Sequence, residues 1–318
     1  MSSNKVPDYS NRVVAEVRPM DAVDLERILE LRESVRWSAD PAAFELLRGF
    51  DGARWAVAAT ESGQLVGMIG AVPFGGIGVI CHLAVHGSVR RRGIGNRLAE
   101  WAVWYLTSRG ASTVRLESTP EAEGLYRSLG FRAVARRALY RDGGGGTGQK
   151  RARSLLRESA GDEYEVSPLV IGDLAEVYGL DLWSFGADRS DLLQAILRLH
   201  PGWGMAARDA GGRMVGYLIQ TTTRAGCRFG PFMAAEAAVA RALLSRALKD
   251  SGTATGTRGP PARSPELLVP GGPEGRFARE LLEEFGFVGA PDRLRMELGE
   301  PAEPRGLRTY GMTPYLST

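Results

Sequence analysis

The two halves of this 318-residue chain carry the same motifs in the same order. The segment "VRPMDAVDLERILEL" from Val17 is answered by "VSPLVIGDLAEVYGL" from Val166. Val17/Val166, Pro19/Pro168, Asp24/Asp173 and Leu25/Leu174 are each 149 residues apart. "WAVAATESGQLVGMIGA" from Trp55 is answered by "WGMAARDAGGRMVGYLI" from Trp203, with Gly67 and Gly216 again 149 apart. "LYRSLGF" at 125–131 faces "LLEEFGF" at 281–287 with an offset of 156. Ordered blocks with a slowly drifting offset are the mark of a tandem duplication. Whatever one copy folds into, the other copy must be able to fold into as well.

Between the copies lies "RDGGGGTGQKRARS". Four consecutive glycines hold neither helix nor strand without a large entropic cost. We therefore expect a first domain over 1–141, a Gly-rich linker over 142–163 and a second domain with a C-terminal tail over 164–318. Within the first copy a strand near Val13–Arg18 leads to a helix from Asp21, whose side chain suits a cap. "RWAVAAT" and "QLVGMIGAV" read as a hairpin, and "GVICHLAV" as a further strand. Leu98, Trp101, Ala102 and Tyr105 form a helical stripe that stops at Gly110. "TVRLEST" reads as a strand, "PEAEGLYRSLG" as a helix and "FRAVARRALYR" as a last strand. Strands that first meander and then alternate with helices predict a mixed α/β fold, mostly antiparallel with one parallel step.

The balance of charge and the rare residues narrow the function. Lys and Arg number 40 against 37 Asp and Glu, which argues against a general nucleic-acid coat. Cys81 and Cys227 lack any C-x-x-C spacing, and there are three histidines, so no metal site is expected. The first residues carry no apolar core of a signal peptide, and no run of 18 apolar residues could span a bilayer. A cytoplasmic protein, acting as a monomer or homodimer, is expected.

The stretch "VRRRGIGNRL" at 89–98 stands between a predicted strand and a predicted helix. A helix N-terminus leaves its first N–H groups unpaired and carries a partial positive charge. Glycines let an anion approach, and arginines add donors. Such a turn suits a pyrophosphate. It lacks the G-K-[ST] of a Walker loop, and Leu98 stands where a dinucleotide fingerprint needs its third glycine. By itself the stretch reads equally well as a basic surface turn.

With its surroundings, "LAVHGSVRRRGIGNRLAEWA" followed by "LYRSLGF" resembles the GNAT superfamily of acetyl-CoA-dependent N-acetyltransferases. The family pattern [RQ]-x-x-G-x-[GA] is met by Arg90, Gly93 and Gly95. A second pattern, A-x-x-L-Y-x-x-x-G-F, is met by Ala122, Leu125, Tyr126, Gly130 and Phe131. The resemblance implies two tandem domains of GNAT type, each with a splayed parallel step, and acetyl-CoA as cofactor. It implies that Arg90, Arg91, Arg92, Gly93, Ile94, Gly95 and Asn96 form the pyrophosphate loop. Backbone groups of Leu83, Ala84 and Val85 would pair with the pantetheine arm, and Thr119 stands where an asparagine usually touches the cofactor. Tyr126 would be the general acid, since a phenol with a pKa near 10 is protonated at neutral pH. For the base, Cys81 shares the parity of Leu83 in a regular strand, His82 would face away, and Glu117 could act through water.

In the second half, aligning Cys227 with Cys81 sets "EAAVAR" (236–241) against "RRRGIG", and Leu282 stands where Tyr126 stood. That half resembles the degenerate GNAT-like domains of tandem proteins and is expected to bind no acetyl-CoA. Asp181, Phe185 and Arg189 are its candidate substrate residues, though each taken singly reads more readily as a cap or salt-bridge residue. The expected function is transfer of an acetyl group to the amine of a small molecule by direct attack in a ternary complex, with neither nucleic acid nor membrane as partner. Acetylation of a peptide or protein amine, and a non-catalytic acyl-CoA sensor, stand beside it.

Overall fold

A computed structural model describes residues 15–37, 41–143, 164–199, 201–223, 226–251, 265–301 and 308–311. The expected linker falls almost wholly outside them. In the first repeat the strands are β1 (Ala15–Pro19), β2 (Arg54–Thr60), β3 (Leu65–Phe74), β4 (Ile77–Val85), β5 (Thr113–Ser118) and β6 (Arg132–Asp142). The helices are α1 (Leu25–Ser34), α2 (Pro41–Arg48), α3 (Ile94–Ser108) and α4 (Glu123–Ser128). The second repeat has β7 (Glu165–Pro168), β8 (Gly204–Arg208), β9 (Met214–Thr223), β10 (Gly226–Ala234), β11 (Glu266–Pro270) and β12 (Phe287–Gly299). Its helices are α5 (Leu174–Phe185), α6 (Ser190–Leu199), α7 (Ala237–Ser251) and α8 (Arg276–Glu284), and a last strand β13 covers Arg308–Gly311.

Shared residues do the same work in both copies. The Asp24 carboxylate accepts the N–H of Asp21 at 2.9 Å at the start of the first helical segment, and Arg18 grips it at 2.7 and 2.8 Å. Asp173 accepts the N–H of Val170 at 2.9 Å and takes Arg208 at 2.7 Å. Asp21 is thus the N-cap, as the sequence pattern suggests, and Asp24 three residues on closes the box onto its N–H. α3 lays Leu98, Ala99, Ala102 and Leu106 on one face of the sheet, against Ala56, Ile69 and Ile80. On the other face one apolar cluster runs through both repeats, joining Ile28, Leu31, Phe44 and Met68 to Val177, Leu192, Ile196 and Tyr217.

The sheet runs β1-β2-β3-β4-β5-β12-β6-β11-β10-β9-β8-β7, with β13 on β10. The last strand of each repeat has crossed into the other: β12 lies on β5, β6 lies on β11, and the two exchanged strands pair with each other. Charge dictates this exchange. Glu297 of β12 faces Arg115 of β5, and Arg295 faces Glu117. Arg141 of β6 faces Glu266 of β11. Were each strand kept at home in the same register, Arg141 would face Arg115 and Glu297 would face Glu266, setting like charges opposite each other.

Arg115 Nε lies 2.7 Å from Glu297 Oε1, with the two side chains 3% and 6% exposed. Removing one partner of such a buried pair strands the other. Glu297→Gln is expected to cost about 3–5 kcal/mol in urea unfolding, and the paired replacement Arg115→Leu/Glu297→Leu to cost less than either single change.

Candidate active site

β4 and β5 pair in parallel through Ile77–Val79 and Thr113–Arg115, and then part. Between the parted strands opens a cavity of about 930 Å³. Its walls include Ile80–Val85 of β4, Glu117–Thr119 at the end of β5, the start of α3 and one face of α4. β4 bulges here. Met68 faces Ala84 and Gly70 faces Cys81, so His82 and Leu83 together oppose Ile69, and His82 has a φ of 54°. An inserted residue flips the strand's alternation. Cys81 and Ala84 therefore belong to the cluster that holds Met68, whereas Leu83 packs toward α3. The shared parity expected for Cys81 and Leu83 is corrected by this bulge. So is the expectation that His82 faces away, because it lines the cavity.

The loop from His86 to Gly93 joins β4 to α3. The His86 N–H donates to Val66 O at 2.9 Å, fixing the loop's start. The Arg90 guanidinium turns back, and its Nε donates to Val85 O at 3.1 Å. Arg90 thus braces the loop through its side chain. Arg91 and Gly93 have φ of 63° and 80°, which turn the chain sharply into α3. Among the described residues no side chain caps this helix. Its first-turn N–H groups and positive dipole end are left to face an anion. Gly95 serves a different need: a Cβ there would stand 2.8 Å from Leu125 Cδ1, so the missing side chain lets α4 approach α3. Asn96 Nδ2 donates to Ser128 Oγ at 3.3 Å across the same joint. The structure gathers Leu83, Ala84, Val85, Arg90, Arg91, Gly93, Ile94, Gly95, Asn96 and Thr119 around the cavity, with Arg92 outside its lining.

Tyr126 also lines the cavity, 5% exposed and edge-on to Phe131 at 5.6 Å between ring centroids. Burial, with Cys81 nearby, drives its hydroxyl pKa well above the usual tyrosine range. The Cys81 thiol is pushed up to about 12 by burial, against a weaker pull from Arg32. A thiol so held is neither a base nor a nucleophile at neutral pH. Glu117 is buried, and burial pushes its carboxyl up, but Arg295 and Arg137 together hold it below the usual range. His82 Nδ1 lies 3.0 Å from Arg32 Nη1. A guanidinium only donates, so Nδ1 accepts and the ring proton sits on Nε2. The ring is flanked by Trp55 at 5.3 Å and Trp37 at 6.0 Å. Val35, Trp37 and His82 complete the cavity without having been expected there. The bulge that brings in His82 has no local sequence signature, and Trp37 follows a left-handed Arg36 with a φ of 62°.

The second repeat answers differently at each point. Two residues, Ala235 and Glu236, join β10 to α7, where eight join β4 to α3. The segment 236–241 is therefore mostly the first turn of α7 rather than a rewritten loop. The two cysteines are not counterparts either: Cys81 faces Gly70 and Cys227 faces Thr222. β10 and β11 pair in parallel only at Arg228 and Glu266, and β13 then lies along Phe232–Ala234, the counterparts of Leu83–Val85. Asp181 and Arg189 are closed on each other at 2.6 and 2.7 Å, Tyr217 donates to Asp181, and Arg189 stacks 4.3 Å from the Phe185 ring. None of the three expected substrate residues reaches the cavity. They form a buried ion pair with an aromatic cover, and Phe185 O accepts Arg115 Nη1 at 3.3 Å.

A splayed mixed sheet with an uncapped helix terminus at its fork defines the acetyltransferase class of fold. Two family profiles, both described as "Acetyltransferase (GNAT) domain", match residues 51–133 and 177–255. The chain belongs to the GNAT acetyltransferases, as a tandem protein. It is 27% identical over 199 residues to an uncharacterized N-acetyltransferase, YitH, of Bacillus subtilis (strain 168). That match covers 63% of this chain and 64% of the relative's length. A structure from Pyrococcus horikoshii, described as an acetyltransferase, is similar with a TM-score of 0.72 at 19% identity, covering 99% of this chain and 100% of that one. A tandem GNAT protein from the clavulanic acid biosynthesis pathway is similar with a TM-score of 0.63 at 15% identity, covering 91% and 100%. At these identities the two structures speak for the fold. Among the described residues no helix is long and apolar enough to cross a membrane.

The thiol shift has a measurable consequence. The unfolded chain releases the Cys81 proton near the ordinary value of 9.0, while the fold retains it up to about 12. Stability tied to this group is therefore complete below pH 9 and is lost as pH rises toward 12. The urea midpoint is expected to fall from pH 9 upward, and Cys81 to resist iodoacetamide at pH 8 until the chain is unfolded.

Proposed function

We propose that the chain transfers an acetyl group from acetyl-CoA to the amine of a small molecule. The observation that carries this reading is one cavity shared by an uncapped helix N-terminus and a buried, protonated tyrosine. The residues fit the coenzyme. The α3 terminus with Arg91 and Gly93 suits a pyrophosphate, and the edge of β4 over Leu83–Val85, parted from β5, suits an amide-bearing arm. When bound, acetyl-CoA supplies the acyl carbon as a thioester. Tyr126 holds its proton at Oη throughout the neutral range and is the group suited to protonate a departing sulfur. Cys81, kept as a neutral thiol, favours direct attack in a ternary complex over transfer through an enzyme thiol. Val35, Trp37 and His82 add apolar and aromatic wall to the cavity, which suits a small amine.

Coenzyme binding is checked by thermal shift: acetyl-CoA in excess is expected to raise Tm, since a ligand of the folded state alone stabilises by mass action. No shift at millimolar ligand rejects the reading. Tyr126→Phe is expected to lower kcat by about 10²–10⁴-fold in a thiol-release assay with an amine panel, with coenzyme affinity preserved. Binding without thiol release from any amine would favour an acyl-CoA sensor.

A further inference from the structure

α1 and α5 hold matching places in the two repeats. Ile28 and Val177, 149 residues apart, are both buried against the sheet. Their outer faces differ. α1 presents Glu26, Glu30 and Glu33 to solvent. The matched positions on α5 are Ala175, Gly179 and Leu182, equally exposed. Beside them Trp183 is 62% exposed, and in the turn that leads into α5 Ile171 is 82% exposed. Half of the large exposed apolar side chains among the described residues belong to this helix and its lead-in: Val170, Ile171, Leu182 and Trp183. Spacings of three and four place Ala175, Gly179 and Leu182 on one stripe. Scattered apolar residues on a surface need no explanation, but a continuous patch marks a contact.

Charge and shape select what covers it. The stripe itself carries no charge. At its edge the Glu176 carboxylate is already held by Arg208 Nη1 at 2.8 Å and by the N–H of Met214 at 3.1 Å. A charged peptide therefore finds no counter-charge here. α5 has no Lys or Arg to hold an anionic bilayer. A second, identical stripe fits. Laid antiparallel about a twofold axis level with Val177, Trp183 of one chain meets Ile171 of the other, Leu182 meets Gly172, and Gly179 meets Ala175. Leu182 thus enters over a glycine, and the Gly179–Ala175 pair lets the backbones approach. A Cβ built at Gly172 or Gly179 meets nothing within 4 Å, so both positions are open to a visitor. No unpaired charge is buried when two such stripes close. In the same register two α1 helices would set Glu30 against Glu26.

We propose that α5 is a dimer surface on which two copies of this chain pair through Ile171, Ala175, Gly179, Leu182 and Trp183. The contact is isologous, so each chain offers the same patch and no second surface is needed. About four turns of helix from each chain cover less than the roughly 800 Å² per partner of a standard interface. The dimer is accordingly weak, with a Kd on the order of 10 µM. It does not draw on the acyl-transfer reading.

Sedimentation velocity of the full-length chain from about 1 to 200 µM brackets that Kd and tests the proposal. The sedimentation coefficient is expected to climb from the monomer value toward the dimer value. Gly179→Glu, which copies the face of α1, is expected to weaken association by about tenfold or more. Its Tm is expected to hold or rise, since glycine is the poorer helix former. Ala175→Lys alone is expected to weaken association likewise. Mixed together, the two variants are expected to associate, because position 179 of one chain meets position 175 of the other. A general change in solubility would not be reversed by mixing. Leu182→Glu keeps the question decidable should Gly179→Glu fail to fold. The proposal is overturned if the parent stays monomeric throughout, as it would with a segment of its own chain over the stripe. It is also overturned if Gly179→Glu or Leu182→Glu associates as tightly as the parent, or if the mixture stays monomeric.

Discussion

The structure turns on the crossed charges between β5 and β12. Two antiparallel strands, each reading Arg-x-Glu, meet so that each arginine faces a glutamate. In water such pairs contribute little, but here the alternative is decisive. A strand that stayed in its own repeat would set arginine opposite arginine and glutamate opposite glutamate. The pairs thus act less by attraction than by excluding the other arrangement, as interfaces gain specificity by penalising wrong partners. Everything between the repeats follows: one continuous sheet, one apolar cluster shared by the helices α1, α2, α5 and α6, and an arginine of the second copy lodged beside the cavity of the first.

Much of the single repeat was legible in the sequence. The apolar stripe of α3, the hairpin of β2 and β3, and the parallel step all follow from periodicity and breakers, which are local. The turn into α3 was legible because its two glycines sit between a strand and a helix, although their roles divide: Gly93 turns the chain and Gly95 admits Leu125. The pairing of the last strands was not legible from periodicity. "FRAVARRALYR" announces a strand, but periodicity alone does not say which partner it takes. The signal lay instead in comparison of the copies, where Arg115 answers to Glu266 and Arg141 to Glu297. Opposite charges at matched positions mean that each copy completes the other.

The part of the cavity lined by Val35, Trp37 and His82 was hidden for a related reason. Parity along β4 fails at His82, where one added residue rotates the rest of the strand. The register of β3 against β4 records that rotation, and the sequence of β4 alone does not. Asp181 and Arg189, by contrast, stand in the sequence as candidate substrate residues. The structure spends them on each other.

β13 lies on the same three positions of the second repeat that line the open cavity in the first. A parted strand edge is a row of unpaired donors and acceptors, and it takes whatever extended backbone comes near. In one copy that row lines the open cavity. In the other it is occupied by a segment tethered to the same chain, whose local concentration no free ligand matches. Among the described residues the duplicated fold thus leaves one parted strand edge uncovered and the other sealed by its own chain.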